Sequence, residues 1–339
     1  MADKTKIGVL GAGTWGIALA RLLSNAGNDV VVWSAIEKEI DVLSSTRVHP
    51  NLPGVELPED MAYTKDIAEV VKGKDILLFA VPSVFVRATA RKVAPYINDG
   101  QVIVDVAKGI EKETLFTMSE IIADEIKNPT IKLVALSGPT HAEEVVKDLP
   151  TTIISASEDI ETAEMVQKVF NTGRLRVYTN TDIRGVELCG ALKNVIALAS
   201  GIATGLGCGD NAKAALITRG IAEIGRLGNA MGCKEQTFSG LAGIGDIIVT
   251  ATSIHSRNNR CGMLLGQGVA VEDATKQVGM VVEGLNALPA AMLLAEKYQV
   301  EMPIVETVDA VVNGRVPVTK AIEHLMSREL KAEVDTVED

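Results

Sequence analysis

The chain of 339 residues is long enough for two domains, and its 47% of hydrophobic residues can supply a large core. A net charge of −11 and an aromatic content of 3% argue against a nucleic acid or an anionic membrane as partner, because both would be repelled and few rings could stack on bases. The four cysteines are widely spaced without a Cys-x-x-Cys pair, which predicts neither a zinc site nor a disulfide framework and is typical of a reduced cytosol.

The first half of the chain alternates strand-like apolar runs with helical segments, which is typical of a parallel sheet built from crossover units. Several runs are continuous in Val, Ile and Leu, as expected for strands that helices cover on both faces. The predicted strands are residues 7–10, 30–33, 76–81, 102–106, 133–137 and 152–155, and residues 175–178 are expected to close the domain.

The first strand runs directly into Gly11-x-Gly13-x-x-Gly16, and a helix is predicted to follow. Glycines in this position make a tight turn, let the backbone approach a pyrophosphate and direct the helix N-terminus at the anion. The order of strand, glycines and helix therefore predicts a dinucleotide-binding enzyme. A structural turn that binds no cofactor is the alternative.

The end of the second strand is where a carboxylate usually holds the adenosine ribose, about 20 residues beyond the glycines. This chain has Trp33, Ser34 and Ala35 there, and the first carboxylate that follows is Glu37. The missing carboxylate allows NADP as well as NAD and slightly favours NADPH. No arginine follows the strand immediately to hold a 2′-phosphate.

Three later strands are followed by loops with polar residues, at 81–83, 107–109 and 137–142. Open parallel sheets bind ligands at the carboxyl ends of their strands, so these loops are expected to contribute contacts. Lys108, beside Gly109, can meet an anionic substrate there. A lysine that is simply solvated is the alternative.

Beyond residue 180 the sequence becomes rich in Ala, Gly and Leu. We predict an α/β protein: a Rossmann-like, mainly parallel sheet flanked by helices over residues 1–180, and an all-α domain over residues 181–339. The charged residues 329–339 are expected to fray. Neither export nor membrane insertion is expected, because the N-terminus has no apolar signal region and the apolar stretch 186–206 contains Glu187 and Lys193.

Residues 183–204 are predicted to form a helix with one stripe of small or polar side chains. The stripe allows another surface to approach closely, whether a dimer partner or another part of the chain. Lys193 and Asn194 are its long polar groups, and a packing face whose lysine reaches water is the alternative. Its members are Gly190, Lys193, Asn194, Ala197, Ser200, Gly201 and Thr204.

Asp246 is a lone carboxylate in the apolar, glycine-rich run 240–252. A buried charge needs a partner, for which Lys193 is the natural candidate, although Asp246 could instead cap a helix.

Residues 253–260 gather hydrogen-bond donors, including Arg257, whose guanidinium can hold phosphate oxygens. They predict an anion pocket, with a solvated loop as the alternative. The four histidines lack metal-ligand spacing, so no metal site is predicted.

Motifs in order along nearly the whole chain resemble the prokaryotic-type NAD(P)-dependent glycerol-3-phosphate dehydrogenases. The resemblance implies reversible reduction of dihydroxyacetone phosphate to sn-glycerol 3-phosphate in the cytoplasm, which supplies glycerophospholipid synthesis. The matching motifs are GAGTWG at 11–16, NLPG at 51–54, VPS at 81–83, KGIE at 108–111, LSGP at 136–139, GVELCGALKN at 185–194, GLGCGDN at 205–211, GLAGIGD at 240–246, SRN at 256–258 and VEG at 282–284.

The resemblance also implies roles for individual residues. Lys193 corresponds to the proton-transfer residue, and Asp246 belongs with it to the catalytic pair. Substrate contacts are implied for Lys108, Gly138, Thr140, Lys193, Asp246, Ser256, Arg257 and Asn258. Cofactor contacts, to NADP or NAD, are implied for Gly11, Gly13, Thr14, Trp15, Gly16, Ser34, Lys108, Ala142, Arg257, Val281 and Glu283.

The chain departs from the family pattern in three segments. Ser34 and Ala35 stand where many members carry a basic or imidazole residue. His141 and Cys208 each stand at a position where phenylalanine is common. Two other functions remain open from the residues alone: a related dehydrogenase acting on a 3-hydroxy acid, and a protein that senses NAD(P)H without turnover. The expected partner is a small phosphorylated substrate, and a homodimer stays open.

Overall fold

A computed structural model of the protein describes residues 4–330 and 332–333. Its N-terminal part is one eight-stranded sheet with the order β3-β2-β1-β4-β5-β6-β7-β8. The predicted mainly parallel sheet is confirmed, with β7 as the strand that runs antiparallel to its neighbour β6. The strands are β1 (Lys6–Leu10), β2 (Asp29–Trp33), β3 (Ala62–Thr64), β4 (Ile76–Phe79), β5 (Val102–Asp105), β6 (Lys132–Ser137), β7 (Thr151–Ala156) and β8 (Leu175–Asn180).

Two details of the sheet differ from the sequence prediction. The edge strand β3 was not predicted, because three residues are too few to show an alternating pattern. The strand predicted over residues 76–81 ends at Phe79, and Pro82 then precedes a short 3-10 turn at Ser83–Phe85. Proline has no amide hydrogen for a strand ladder, so the sheet cannot continue through it.

Helices cover both faces of the sheet, and alternate residues of each central strand enter two separate apolar cores. Leu10 pairs with Trp33 on one side and Phe79 on the other, which brings the strand ends to one edge. The helices of this part are α1 (Thr14–Asn25), α2 (Glu37–Thr46), α3 (Ile67–Val71), α4 (Val86–Val93), α5 (Met118–Ile126), α6 (Ala142–Val145) and α7 (Ile160–Phe170).

The C-terminal part is helical, as predicted, and is built around the long helix α8. The helix extends over Ile183–Gly205, and nearly all its residues are buried. The helix is long and apolar enough to span a membrane, but its apolar stretch is wholly buried inside the protein. The following helices are α9 (Asp210–Ala230), α10 (Glu235–Phe238), a π-helical turn (Leu241–Gly245), α11 (Asp246–Thr252), α12 (Arg257–Gly266), α13 (Val271–Val278), α14 (Glu283–Tyr298), α15 (Pro303–Val312) and α16 (Ala321–Met326).

The small-residue stripe of α8 packs against α11 and α12 within the helical part. A Cβ atom on Gly201 would lie 2.1 Å from the carbonyl oxygen of Asn259, and one on Gly262 would lie 2.2 Å from that of Leu198. Ser200 donates a hydrogen bond to the carbonyl of Ala251 at 3.0 Å. The glycines therefore let the two helix backbones approach more closely than any side chain allows.

The division of the chain at residues 180 and 181 stays a prediction. Strand β8 ends at Asn180 and helix α8 begins at Ile183. The fraying expected for residues 329–339 falls mostly on residue 331 and residues 334–339, which lie outside the described residues.

Candidate active site

The turn between β1 and α1 has the geometry that a dinucleotide needs. Gly11 has φ +121°, and a Cβ atom there would lie 2.6 Å from the carbonyl oxygen of Ala80. A Cβ on Gly16 would lie 2.3 Å from the carbonyl oxygen of Gly11, whereas one on Gly13 would meet no described atom within 4 Å. No described side chain caps α1 at Gly13, so its N-terminal amides are left for an anion. The residues present therefore fit a bound pyrophosphate.

His49 supports this glycine turn from behind. Its Nδ1 accepts a hydrogen bond from the amide of Asn51 at 3.1 Å, so Nε2 carries the proton and donates to the carbonyl of Ala12 at 3.1 Å. Burial lowers the pKa of His49, which keeps the ring neutral. Asn51 also donates to the hydroxyl of Thr14, while Trp15 beside it is half-buried. His49 is thus a buried structural contact of the glycine turn.

No acidic residue follows β2 directly, as the sequence shows, but a carboxylate of the next helix reaches the strand end. The hydroxyl of Ser34 donates to Oε2 of Glu39 at 2.6 Å and accepts from the amide of Ile36 at 3.1 Å. Glu39 belongs to α2, five residues after Ser34, and the first turn of that helix returns it to the strand end. The number of residues after the strand does not reveal this contact, because the position of the Glu39 side chain depends on where α2 begins.

Lys193, Asp246 and Lys108 form a buried ion cluster between the sheet and the helical part. The ammonium of Lys193 donates to Oδ1 of Asp246 and to the hydroxyl of Thr250, the latter at 2.8 Å. Lys108 donates to Oδ2 of the same carboxylate at 2.6 Å and to the carbonyl of Gly138 at 3.3 Å. Asp246 has no exposed surface, and 6% of the Lys193 side chain is exposed. The partnership of Asp246 with Lys193 is the one expected from the sequence.

The electrostatics of the cluster favour a lysine that exchanges protons. Burial is the largest influence on Lys193 and lowers its pKa; the charge of Lys108 acts in the same direction, while Asp246 opposes both. Two ammonium groups share one carboxylate, so the cluster carries a net positive charge when both are protonated. Such a site is suited to a substrate oxygen that becomes negative during reaction.

Lys108 passes over α8 to reach the cluster and binds the loop after β6. Gly190 of α8 lies beneath its stem, where a Cβ atom would be 3.5 Å from Cγ of Lys108. Gly138 has φ +149°, and its carbonyl accepts both Lys108 and, at 3.2 Å, the hydroxyl of Thr140. The loops after β5 and β6 thus meet α8 and α11 at one point. The substrate contacts implied for Lys108, Gly138 and Thr140 stay a prediction.

Glu187 fixes the part of α8 that carries Lys193 relative to the sheet. Its carboxylate accepts hydrogen bonds from the amide of Ser119 at 2.8 Å and from the hydroxyl of the same residue at 2.6 Å. Ser119 lies in the first turn of α5, so the contact joins α8 to a helix of the sheet layer. Burial raises the pKa of Glu187 to about 7. Sequence reasoning used Glu187 only as a charge against membrane insertion and missed this contact.

Only part of the predicted anion pocket at residues 253–260 has free donors. The hydroxyl of Ser256 caps α12 by accepting from the amide of Asn259 at 3.2 Å. Asn258 is buried; it donates to Oδ1 of Asn194 at 2.9 Å and accepts from the amide of Gly284 at 2.8 Å. Arg257 is exposed at the start of α12. Arg257 and Arg260 thus present exposed guanidinium groups that an anion can reach, while Asn258 joins α12 to α8 and α14.

His141, where the family pattern has an aromatic residue, contacts the helical part. Its Nε2 lies 3.4 Å from the carbonyl of Val249, and its ring centroid is 6.0 Å from that of His255. Burial lowers the pKa of His141. This contact holds the loop after β6 against α11.

Glu283 connects the proposed cofactor loops to the helical part. Its carboxylate accepts from the hydroxyl of Ser83 at 2.6 Å and from its amide at 3.2 Å. Val281 lies in the loop just before α14, and Ala142 is the first residue of α6 beside α1. Ser83 was noted in the sequence only as a polar residue in a strand-end loop. Its partner, 200 residues away, could not be read from the spacing.

The open sheet with its glycine turn, the helical C-terminal domain and the buried lysine cluster between them define an NAD(P)-dependent dehydrogenase. Two family models match the chain: residues 6–163 match the NAD-dependent glycerol-3-phosphate dehydrogenase N-terminus, and residues 182–323 match its C-terminus. The chain therefore belongs to the NAD-dependent glycerol-3-phosphate dehydrogenase family.

Individual relatives agree over the full length. An NAD(P)+ glycerol-3-phosphate dehydrogenase of Lactobacillus delbrueckii subsp. bulgaricus is 62% identical and covers 97% of this chain and 99% of its own. One of Agathobacter rectalis is 51% identical and covers 98% and 99%. The crystal structure of the enzyme from Coxiella burnetii has a TM-score of 0.91 and 36% identity, covering 96% of this chain and 99% of its own.

Proposed function

We propose that this protein catalyses the reversible reduction of dihydroxyacetone phosphate to sn-glycerol 3-phosphate in the cytoplasm, supplying glycerophospholipid synthesis. The observation that carries the proposal is the ion cluster of Lys193, Asp246 and Lys108, which unites residues of the sheet loops and the helical domain. Family membership supports the substrate and the cofactor. A nicotinamide dinucleotide, when bound at the glycine turn, supplies the hydride for the carbonyl carbon and accepts it in reverse.

Lys193 is the proposed proton donor in the reductive direction. The carbonyl oxygen becomes negative as the carbon is reduced, and the ammonium of Lys193 both stabilises that charge and protonates the oxygen. Burial lowers the pKa of this lysine, so the neutral amine becomes accessible and can take the hydroxyl proton in the oxidative direction. One group then serves as acid and as base.

Asp246 and Lys108 are proposed to position Lys193 and the substrate oxygen. Asp246 holds both ammonium groups from the two oxygens of one carboxylate, so neither can rotate freely. Lys108 adds a second positive charge on the side of the sheet. Gly138 and Thr140 complete this wall, because the carbonyl of Gly138 binds both Lys108 and the threonine hydroxyl.

Arg257 is proposed to bind the phosphate group of the substrate. It is exposed at the start of α12, and its guanidinium can form two parallel hydrogen bonds with phosphate oxygens. Ser256 and Asn258 flank it and support the start of the helix. Binding energy from a phosphate remote from the reacting carbon can be used to orient that carbon.

A substrate panel tests this function against its rivals. The absorbance of the reduced nicotinamide is followed with dihydroxyacetone phosphate, with unphosphorylated dihydroxyacetone and with 3-oxo acids. We expect oxidation of the cofactor with the phosphorylated ketone. Turnover confined to a 3-oxo acid would indicate a different dehydrogenase, and cofactor binding without turnover would indicate a sensor. Light scattering of the purified protein tests the homodimer, which remains a proposal.

A further inference from the structure

Glu39 brings a carboxylate to the end of β2, beside the glycine turn. The amide of Gly11 donates to the carbonyl of Trp33 at 2.8 Å, so the end of β2 lies against the glycine turn. Ser34 follows directly, and its hydroxyl holds the Glu39 carboxylate at 2.6 Å. In sheets of this kind, the residue at this place contacts the 2′-hydroxyl of the adenosine ribose.

Glu39 is half-buried, so its charge is screened less than that of a fully exposed side chain.

Among the described residues, no ion pair includes Glu39. Lys65 pairs with Asp41 at 2.7 Å and Glu37 at 3.6 Å on the same helix. Arg47 donates to the carbonyls of Pro58 and Met61. Lys38 is exposed and adjoins Glu39 in sequence, which makes it the cation to test.

We propose that Glu39 makes this chain select NADH over NADPH. One oxygen of its carboxylate is held by Ser34, and the group accepts hydrogen bonds from ribose hydroxyls and repels a 2′-phosphate. A carboxylate in contact with a dianionic phosphate weakens binding by about tenfold or more even at the dielectric constant of water. This inference rests on dinucleotide binding at the glycine turn, which is part of the proposed function, and it reverses the preference expected from the sequence.

The test is direct binding of the two reduced cofactors, without substrate, by titration calorimetry. For the unaltered protein we expect NADH to bind at least about tenfold more tightly than NADPH. Glu39→Gln can still accept from Ser34 but carries no charge, so it should tighten NADPH binding and bring the two dissociation constants within about threefold. Added salt should reduce the difference in the unaltered protein.

Two variants of the same helix serve as controls. Glu37→Gln removes the same charge from a site facing Lys65 and should leave the ratio of dissociation constants unchanged. Lys38→Ala should also leave it unchanged; a selective loss of NADPH binding would show that Lys38 holds the 2′-phosphate and would overturn the inference. Equal binding of both cofactors to the unaltered protein would overturn it as well, with the proposed function intact. If neither NADH nor NADPH bound, both this inference and the proposed function would be overturned.

Discussion

Replacing Asp246 with asparagine tests the electrostatic basis of the proposed proton transfer. The Asp246→Asn side chain would be close to isosteric but would leave Lys193 and Lys108 without a counter-charge, in a site where the carboxylate has no exposed surface. An ammonium and a carboxylate about 3 Å apart attract each other by about 5 kcal/mol at an effective dielectric constant of 20. If removing the charge costs Lys193 even half of that attraction, the pKa of Lys193 falls by about two units.

The sign of the shift follows from the environment of Lys193. Asp246 raises its pKa against the effect of burial, so its removal lowers the pKa further. Reduction needs the protonated amine, and therefore its rate falls as the pH rises through that pKa. We expect the descending limb of the reductive kcat profile to move about two pH units lower in Asp246→Asn. At neutral pH the rate should fall about a hundredfold, with partial recovery in acid.

The assay is oxidation of the nicotinamide cofactor with saturating dihydroxyacetone phosphate across the stable pH range. Cofactor affinity and circular dichroism verify that each variant is folded. Thr250→Val is the matched control, because it removes a hydrogen bond from Lys193 without removing a charge and should move the limb far less. A profile of Asp246→Asn that coincides with that of the unaltered protein would refute the electrostatic reasoning.

Two further predictions concern the phosphate contact and the helix crossing. Arg257→Ala should raise KM for dihydroxyacetone phosphate by at least about tenfold, the effect of losing one charged hydrogen bond. It should barely change KM for unphosphorylated dihydroxyacetone. An equal rise in KM for both substrates in steady-state kinetics would contradict phosphate binding by Arg257. Gly201→Ala should lower the free energy of unfolding in urea by about 2 kcal/mol or more, because its methyl group would lie 2.1 Å from the carbonyl oxygen of Asn259. Gly225→Ala has its nearest neighbour at 3.9 Å and should not destabilise; similar losses in both variants would show that the close crossing is not the cause.

The sheet could be predicted from the sequence because its strands are continuous apolar runs with clear ends. Local patterns suffice for β1 and its glycine turn, since strand, turn and helix are contiguous. Strand β3 was missed because three residues carry no period, and the antiparallel direction of β7 depends on where the chain travels between strands. The route of the chain between strands depends on tertiary packing, which a short stretch of sequence does not reveal.

The candidate site divides in the same way. Lys193 with Asp246 could be expected because a lone buried carboxylate requires a cation, and the fold places the two in contact. Lys108 as the second partner of Asp246 could not, because the contact spans 138 residues between the sheet and the helical domain. Glu39 was missed for a different reason: the first turn of α2 carries it back to Ser34, and a count along the chain takes no account of that return.

Single-turnover reduction by Lys193→Ala, with the cofactor already bound, tests most directly whether an amine of the helical domain delivers the proton. Alanine cannot donate a proton, while the glycine turn proposed to bind the cofactor and the contact of Ser83 with Glu283 remain in place. We predict a rate at least about a hundredfold lower, the low end for loss of a general acid, with an unchanged cofactor dissociation constant. A rate equal to that of the unaltered protein would contradict the account.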